Sequence, residues 1–305
     1  MHWITLCLIT AFGYAMSAII DNYNTDVLFK SRKPQAVKVI NGFLYLTIAG
    51  IIAIIFGVES TPMPTILMAI ASGILASIAS IPYYLGLRDE EATTGAIFYQ
   101  LMPVFCIIGD IFLLERSINL QQALGFAIIL TSPFIIILAR RRKSARKFEI
   151  KASFFFLLYV LLLTCSTLIY ARAEIGKTSI MTLFFWFVIG RATFDILATL
   201  VMPSWRKRLK QVHKEFPVKL FIFIPATLII TMAADFALRL SFRETNTSIA
   251  TAFSNASELI FTFILGIILT VIWPNFGREK LNRHIVLSHL LAIAIIVIGI
   301  ILTQI

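Results

Sequence analysis

The sequence predicts an all-α polytopic membrane protein, ten transmembrane helices arranged as two inverted five-helix repeats. Three observations carry this prediction. Of 305 residues, 59% are hydrophobic and 14% charged, against about 45–50% and about 25% in a soluble domain. The apolar residues fall into blocks close to the roughly 20 residues that a bilayer-spanning helix needs. The charged residues gather in the gaps between blocks.

Ten blocks follow in order. The first five are Trp3–Ile20, which extends to Phe29 if Asp21 lies in the helix, then Val39–Phe56, Thr65–Leu87, Ala92–Leu114 and Leu120–Ala139. The second five are Ala152–Ala171, Ile180–Met202, Val218–Leu240, Thr247–Ile272 and Ile285–Thr303. They are continuously apolar and too long for barrel strands, so helices are the way to satisfy their backbone in lipid. The first block lacks a basic leader and a small-residue cleavage pattern, so it is expected to stay as a span.

The net charge of +11 raises nucleic acid as a partner, and the placement of the charge excludes it. The side of connectors one, three, five, seven and nine holds 21 of the 27 Lys and Arg residues, the other side holds 5, and Arg191 lies inside a block. Such asymmetry marks the cytoplasmic side, which places both termini outside and leaves the basic runs to orientation and lipid headgroups. Cys7, Cys106 and Cys165 sit inside apolar blocks without pairing or metal spacing, so they read as small core residues.

The polar run 140–151 separates a first repeat, 1–139, from a second, 152–305. An odd number of spans per repeat makes the second run upside down relative to the first. With an offset of 155, Gly86–Phe105 lies over Ser241–Ile260, matching Arg88 with Arg243, Ala92 with Thr247, Gly95 with Ala250 and Phe98 with Phe253. Inverted halves suit alternating access around a central site, a need that a scaffold or receptor does not have.

Leu85–Leu130 resembles the EamA-type members of the drug/metabolite transporter superfamily. The resemblance rests on small residues opening a helix at Ala92–Gly95, on Pro103–Val104 partway along it, on a Leu-Gly-Glu-like turn at Leu114–Glu115–Arg116, and on Gly125 in the next helix. Ser17–Gln35 is similar to a first-helix segment of that family with an Asp ending an apolar run. The second half departs from the pattern, with Glu258–Leu259 in place of a Pro-Val and Thr270–His284 in place of the Gly-Glu turn. The resemblance implies the ten-helix fold and transport.

Ionisable groups within spans point to function, since each costs at least about 2.5–3.5 kcal/mol to insert unless it faces a cavity or a partner. Glu258, with Asn255 a turn before it, is a candidate for binding a cationic group or carrying a proton. Asp21 and Asn22 face the protein interior if the first helix continues past Ile20. Arg191/Asp195 and Asp235/Arg239 have i,i+4 spacing and are expected to neutralise each other on one helix face, or to open and clamp a zwitterion. Tyr83, Tyr84 and Tyr99 are candidate cavity-lining residues, with Pro82, Pro103 and Pro225 kinking their helices near mid-span. Asp110, Arg172 and Glu174 read as interfacial, and His289 as a packing residue.

No HExxH, Gly-x-Ser-x-Gly, Cys/His cluster or GxxxxGK[ST] occurs, which argues against an intramembrane enzyme, a metal or other cofactor, and ATP-driven transport by this chain. The expected function is a secondary carrier or facilitator of a small polar metabolite (an amino acid, an amine or similar) in a bacterial inner membrane, with proton coupling a candidate feature. The alternative is a flippase for a lipid-linked molecule, which needs a cavity open sideways to lipid. The oligomeric state stays open, since one chain holding both repeats forms a complete cavity.

Overall fold

The computed structural model describes residues 2–23, 35–89, 98–141, 150–175, 178–203, 220–272 and 283–304. Among these residues the regular structure is helical, with ten helices and no strands. They are α1 (Trp3–Tyr23), α2 (Gln35–Phe56), α3 (Met63–Asp89), α4 (Met102–Phe112), α5 (Leu120–Arg141), α6 (Ile150–Glu174), α7 (Ile180–Val201), α8 (Leu220–Ser241), α9 (Thr247–Ile272) and α10 (Arg283–Gln304). Six of them, α1, α3, α6, α7, α8 and α9, are long and apolar enough to cross a membrane. Their hydroxyls are kept cheap in an apolar setting by bonding one turn back, as Thr10 does to the Leu6 carbonyl and Thr164 to that of Val160. Large apolar side chains cover the outside, with Ile54 86% and Phe112 81% exposed. Such a surface is matched by lipid rather than water.

The prominent packing pairs each join one of the first five helices to one of the last five. α3 packs on α6 and α7, α1 on α8 and α9, α2 on α7, α4 on α9 and α6, and α5 on α10. The cores follow the same rule. One cluster combines Trp3 and Cys7 of α1 with Phe126 and Ile129 of α5, Phe253 of α9 and Ile296 of α10. Another combines Tyr45 of α2 and Ala69 of α3 with Tyr170 of α6, Phe187 of α7 and Met232 of α8. The tightest crossing is between α3 and α7. A Cβ on Gly73 would overlap the Phe187 carbonyl, and one on Gly190 the Ile70 carbonyl, so glycine is what lets these two backbones touch.

The block read from Ala92 is interrupted by a turn at Gln100 and Leu101, with Phe98 and Tyr99 helical before it. Residues 90–97 lie outside the described residues, and the regular helix begins at Met102 after a turn in which the Leu101 N–H donates to the Phe98 carbonyl. The cause is Pro103, in the first turn of α4. It has no N–H to offer the carbonyl four residues back, and that carbonyl, Tyr99 O, instead accepts from Asn255 Nδ2 of α9 at 3.4 Å. Pro103 therefore sits just after the interruption, in the first turn of α4. Pro225 likewise lies in the second turn of α8, while Pro82 is well inside α3. Beyond α4, Glu115 holds the left-handed φ of 54°, at the place where the family pattern has its glycine.

Candidate functional site

One group of buried ionic side chains sits on α2, α7 and α8, where the cores of the two halves meet. The expected i,i+4 pairs do not form. Arg191 of α7 reaches across to α8, its Nη1 donating to Asp235 Oδ2 at 2.6 Å. Asp235 Oδ1 accepts from the hydroxyl of Tyr14 of α1. Asp195 instead faces Lys38 of α2, with Nζ 3.3 Å from Oδ1, and Lys38 also donates to the Ser77 carbonyl of α3 at 3.0 Å. Same-face spacing on a helix brings partners near, but a cross-helix group satisfies a carboxylate from outside the backbone wall and ties helices together. Lys38 was counted among the basic residues of the first connector; it is a buried residue of α2, 7% exposed.

Arg239 has no ionic partner among the described residues. Its guanidinium lies over the rings of Phe187 and Tyr170, 3.7 and 4.1 Å from their centroids. Arg191 lies more loosely over Tyr45, at 5.0 Å. Cation–π contact is worth about 0.5–2 kcal/mol, less than the several kcal/mol that desolvating an ion costs.

Aromatic rings form the adjoining wall. Tyr159 of α6 stands 5.0 Å from Tyr83 and 6.0 Å from Tyr99 between ring centroids, and Phe156 stacks on Phe98 at 6.0 Å. Tyr14, Tyr99 and Tyr159 each lie within electrostatic reach of both Asp235 and Glu258. Glu258 is half-buried on α9, beyond the buried stripe Thr247, Thr251, Ser254 and Asn255. It makes no hydrogen bond or ion pair among the described residues. Between these groups lies a cavity of about 20 Å³ bordered by Tyr14, Tyr99, Thr167, Asp235, Arg239 and apolar neighbours, room for about one water.

Of the residues singled out in the sequence, the structure brings together Tyr83, Tyr99, Asp235, Arg191, Arg239 and Asn255, with Glu258 alongside. Asp195 stands apart with Lys38. Asp21 and Asn22 are in the last turn of α1, which continues past Ile20, but their side chains lie outside the described residues, as do those of Tyr84 and His289. The sequence reading missed Tyr14, Lys38, Tyr159, Thr167 and Tyr170. A lysine within the apolar run VKVINGF was a readable signal; the tyrosines gave none, because partner identity depends on tertiary packing.

Asp110, expected near an interface, lies close to the end of α4 and is buried. It is 0% exposed and accepts from the backbone N–H groups of Thr247 at 3.3 Å and Ser248 at 2.7 Å, so a side chain from α4 caps the N-terminus of α9. At the same end, Arg116 donates to the Thr245 and Phe242 carbonyls, each at 2.9 Å. Arg243 bonds Glu174 at 2.7 Å and the Thr178 carbonyl at 2.8 Å.

Residues 1–138 match the EamA-like transporter family. A solved crystal structure superposes with a TM-score of 0.70 at 13% identity, covering 98% of this chain and 95% of that one; the likeness shows that the fold is shared along the chain. A search of curated proteins finds no match.

Proposed function

We propose that this chain, an integral membrane protein of the EamA-like transporter family by its residues 1–138, moves a small polar metabolite across a membrane by alternating access. The observation that carries the reading is the central cluster. Tyr14, Tyr99, Asp235 and Arg239 border one small cavity where the helices of both halves meet, with Arg191 paired to Asp235 and Tyr159 stacked between Tyr99 and Tyr83. Charge at such depth is costly and is retained where a solute needs it. The cavity holds about 20 Å³, so a metabolite passes only if helices part.

The helix packing is compatible with inverted repeats, which suit the same reading. Exchanging each helix of the first five for its counterpart in the second turns the α1–α8 pair into α6–α3 and the α1–α9 pair into α6–α4, while α2–α7, α4–α9 and α5–α10 map onto themselves. All of these pairs pack. Ten spans, termini on the outer face and a bacterial inner membrane are part of the proposal, and the basic-residue asymmetry supports the orientation. On this topology the end held by Asp110, Arg116 and Arg243 faces outward and is closed.

The flippase alternative has one observation in its favour, an apolar groove of about 380 Å³ bordered by Leu67, Met68, Ala71, Leu113, Ile169 and Arg172. It shares no lining residue with the central cavity and has one polar group, so polar-solute transport is preferred. The test is uptake by proteoliposomes of amino acids, amines, sugars, nucleosides and lipid-linked precursors. Accumulation of a polar solute, reduced at least tenfold and made insensitive to pH in Glu258→Gln, supports the assignment. Movement of lipid-linked compounds alone supports the flippase. Wild-type kinetics and pH response in Glu258→Gln would remove that residue from the site.

A further inference from the structure

Arg239 is 5% exposed, and its Nε and Nη1 have no hydrogen-bond partner. A guanidinium stays charged at any accessible pH, so this is a permanent cation buried with donors unused. Neither carboxylate within its electrostatic reach bonds it. Asp235, one turn back on α8, is filled by Tyr14 and Arg191. Glu174 gives Oε1 to Arg243, and its Oε2 bonds nothing, Arg239 included. The rings of Phe187 and Tyr170 hold the guanidinium by its face, which leaves its in-plane N–H edge for a planar acceptor. The hydroxyl of Tyr170 is also buried without a partner, a second unused donor beside the first. Arg239 borders the central cavity together with Tyr14, Tyr99 and Asp235.

We infer that Arg239, with the Tyr170 hydroxyl, is the anion-binding subsite of the transport site and that the transported solute carries a carboxylate. The inference rests on the transport reading and narrows its substrate class. One guanidinium flanked by Asp235 and Glu174 matches a single negative charge better than a phosphate dianion. In the solute-free protein the cation is held by aromatic faces; a carboxylate arriving at its edge supplies the missing charge and acceptors together.

The experiment compares thermal unfolding of the purified full chain with matched probes: alanine, propionate and ethylamine, and the larger set leucine, isocaproate and isoamylamine. Wild type, Arg239→Gln and Arg239→Lys are measured side by side. The expected result is stabilisation by the carboxylate-bearing probes and not by the amines. Apparent affinity falls about ten- to a hundredfold in Arg239→Gln and is partly kept in Arg239→Lys. The probe-free Arg239→Gln protein unfolds at the wild-type temperature or above it, because an uncompensated buried charge has been removed. A lower unfolding temperature with an unchanged carboxylate response would make Arg239 a structural residue and overturn the inference. So would stabilisation by the amines alone, or a response to none of these probes in a protein that still moves another solute; both leave transport standing. A protein that neither responds nor moves any solute in proteoliposomes overturns both readings.

Discussion

At the end of the bundle that holds residues 113–119, 178–179 and 242–246, charged side chains are spent on backbone. Asp110 caps two N–H groups of α9, Arg116 takes two carbonyls of the turn between α8 and α9, and Arg243 joins that turn to Glu174 and Thr178. In the centre, Arg191 and Asp235 pair across α7 and α8, and Arg239 and Glu258 have no ionic partner among the described residues. The two regions use the same residue types. What separates them is whether the available partners are fixed backbone groups, which an irregular turn supplies in plenty, or side chains, which a run of regular helix supplies sparingly. Charges at the clamped end are accounted for by the fold alone, and those at the centre are not.

Replacing Asp235 by Ala is the strongest way to break that contrast. It leaves the Arg191 cation uncompensated inside the protein, with an expected loss of about 3–5 kcal/mol and no transport; unfolding in detergent and uptake by proteoliposomes read the two effects. A loss below about 1 kcal/mol would show the centre to be well solvated and the contrast mistaken. Asp110→Ala is the milder counterpart. Two buried N–H groups lose their acceptor, for about 2 kcal/mol, while uptake per folded molecule stays within about twofold. Transport lost at unchanged stability would move Asp110 from the fold to the working site.

The helices were legible because a bilayer imposes length and apolarity on each span separately, and the described helices lie on the blocks read from the sequence. The interruption at Gln100 and Leu101 was not, since it turns on whether the Tyr99 carbonyl has another donor, and Asn255 is 156 positions away. Arg191, Asp195, Asp235 and Arg239 were singled out with partners on their own helices, whereas the structure pairs Arg191 with Asp235 and Asp195 with Lys38. The i,i+4 rule sees one helix, whereas Arg191, Asp235, Asp195 and Lys38 are partnered between helices. Tyr14 and Tyr170 became visible only when packing placed a carboxylate or a guanidinium against them.

The central claim is that the cavity beside Asp235 and Arg239 opens alternately to the two sides of the membrane. Its most direct test places a single thiol at Thr167, a lining residue, in a chain whose Cys7, Cys106 and Cys165 are replaced by Ser. Membrane-impermeant thiol reagents are then applied from either face of proteoliposomes of known orientation. The account predicts labelling from both faces, with a transported solute shifting the ratio and slowing both. Labelling confined to one face with and without solute, or none from either, would contradict alternating access at this site.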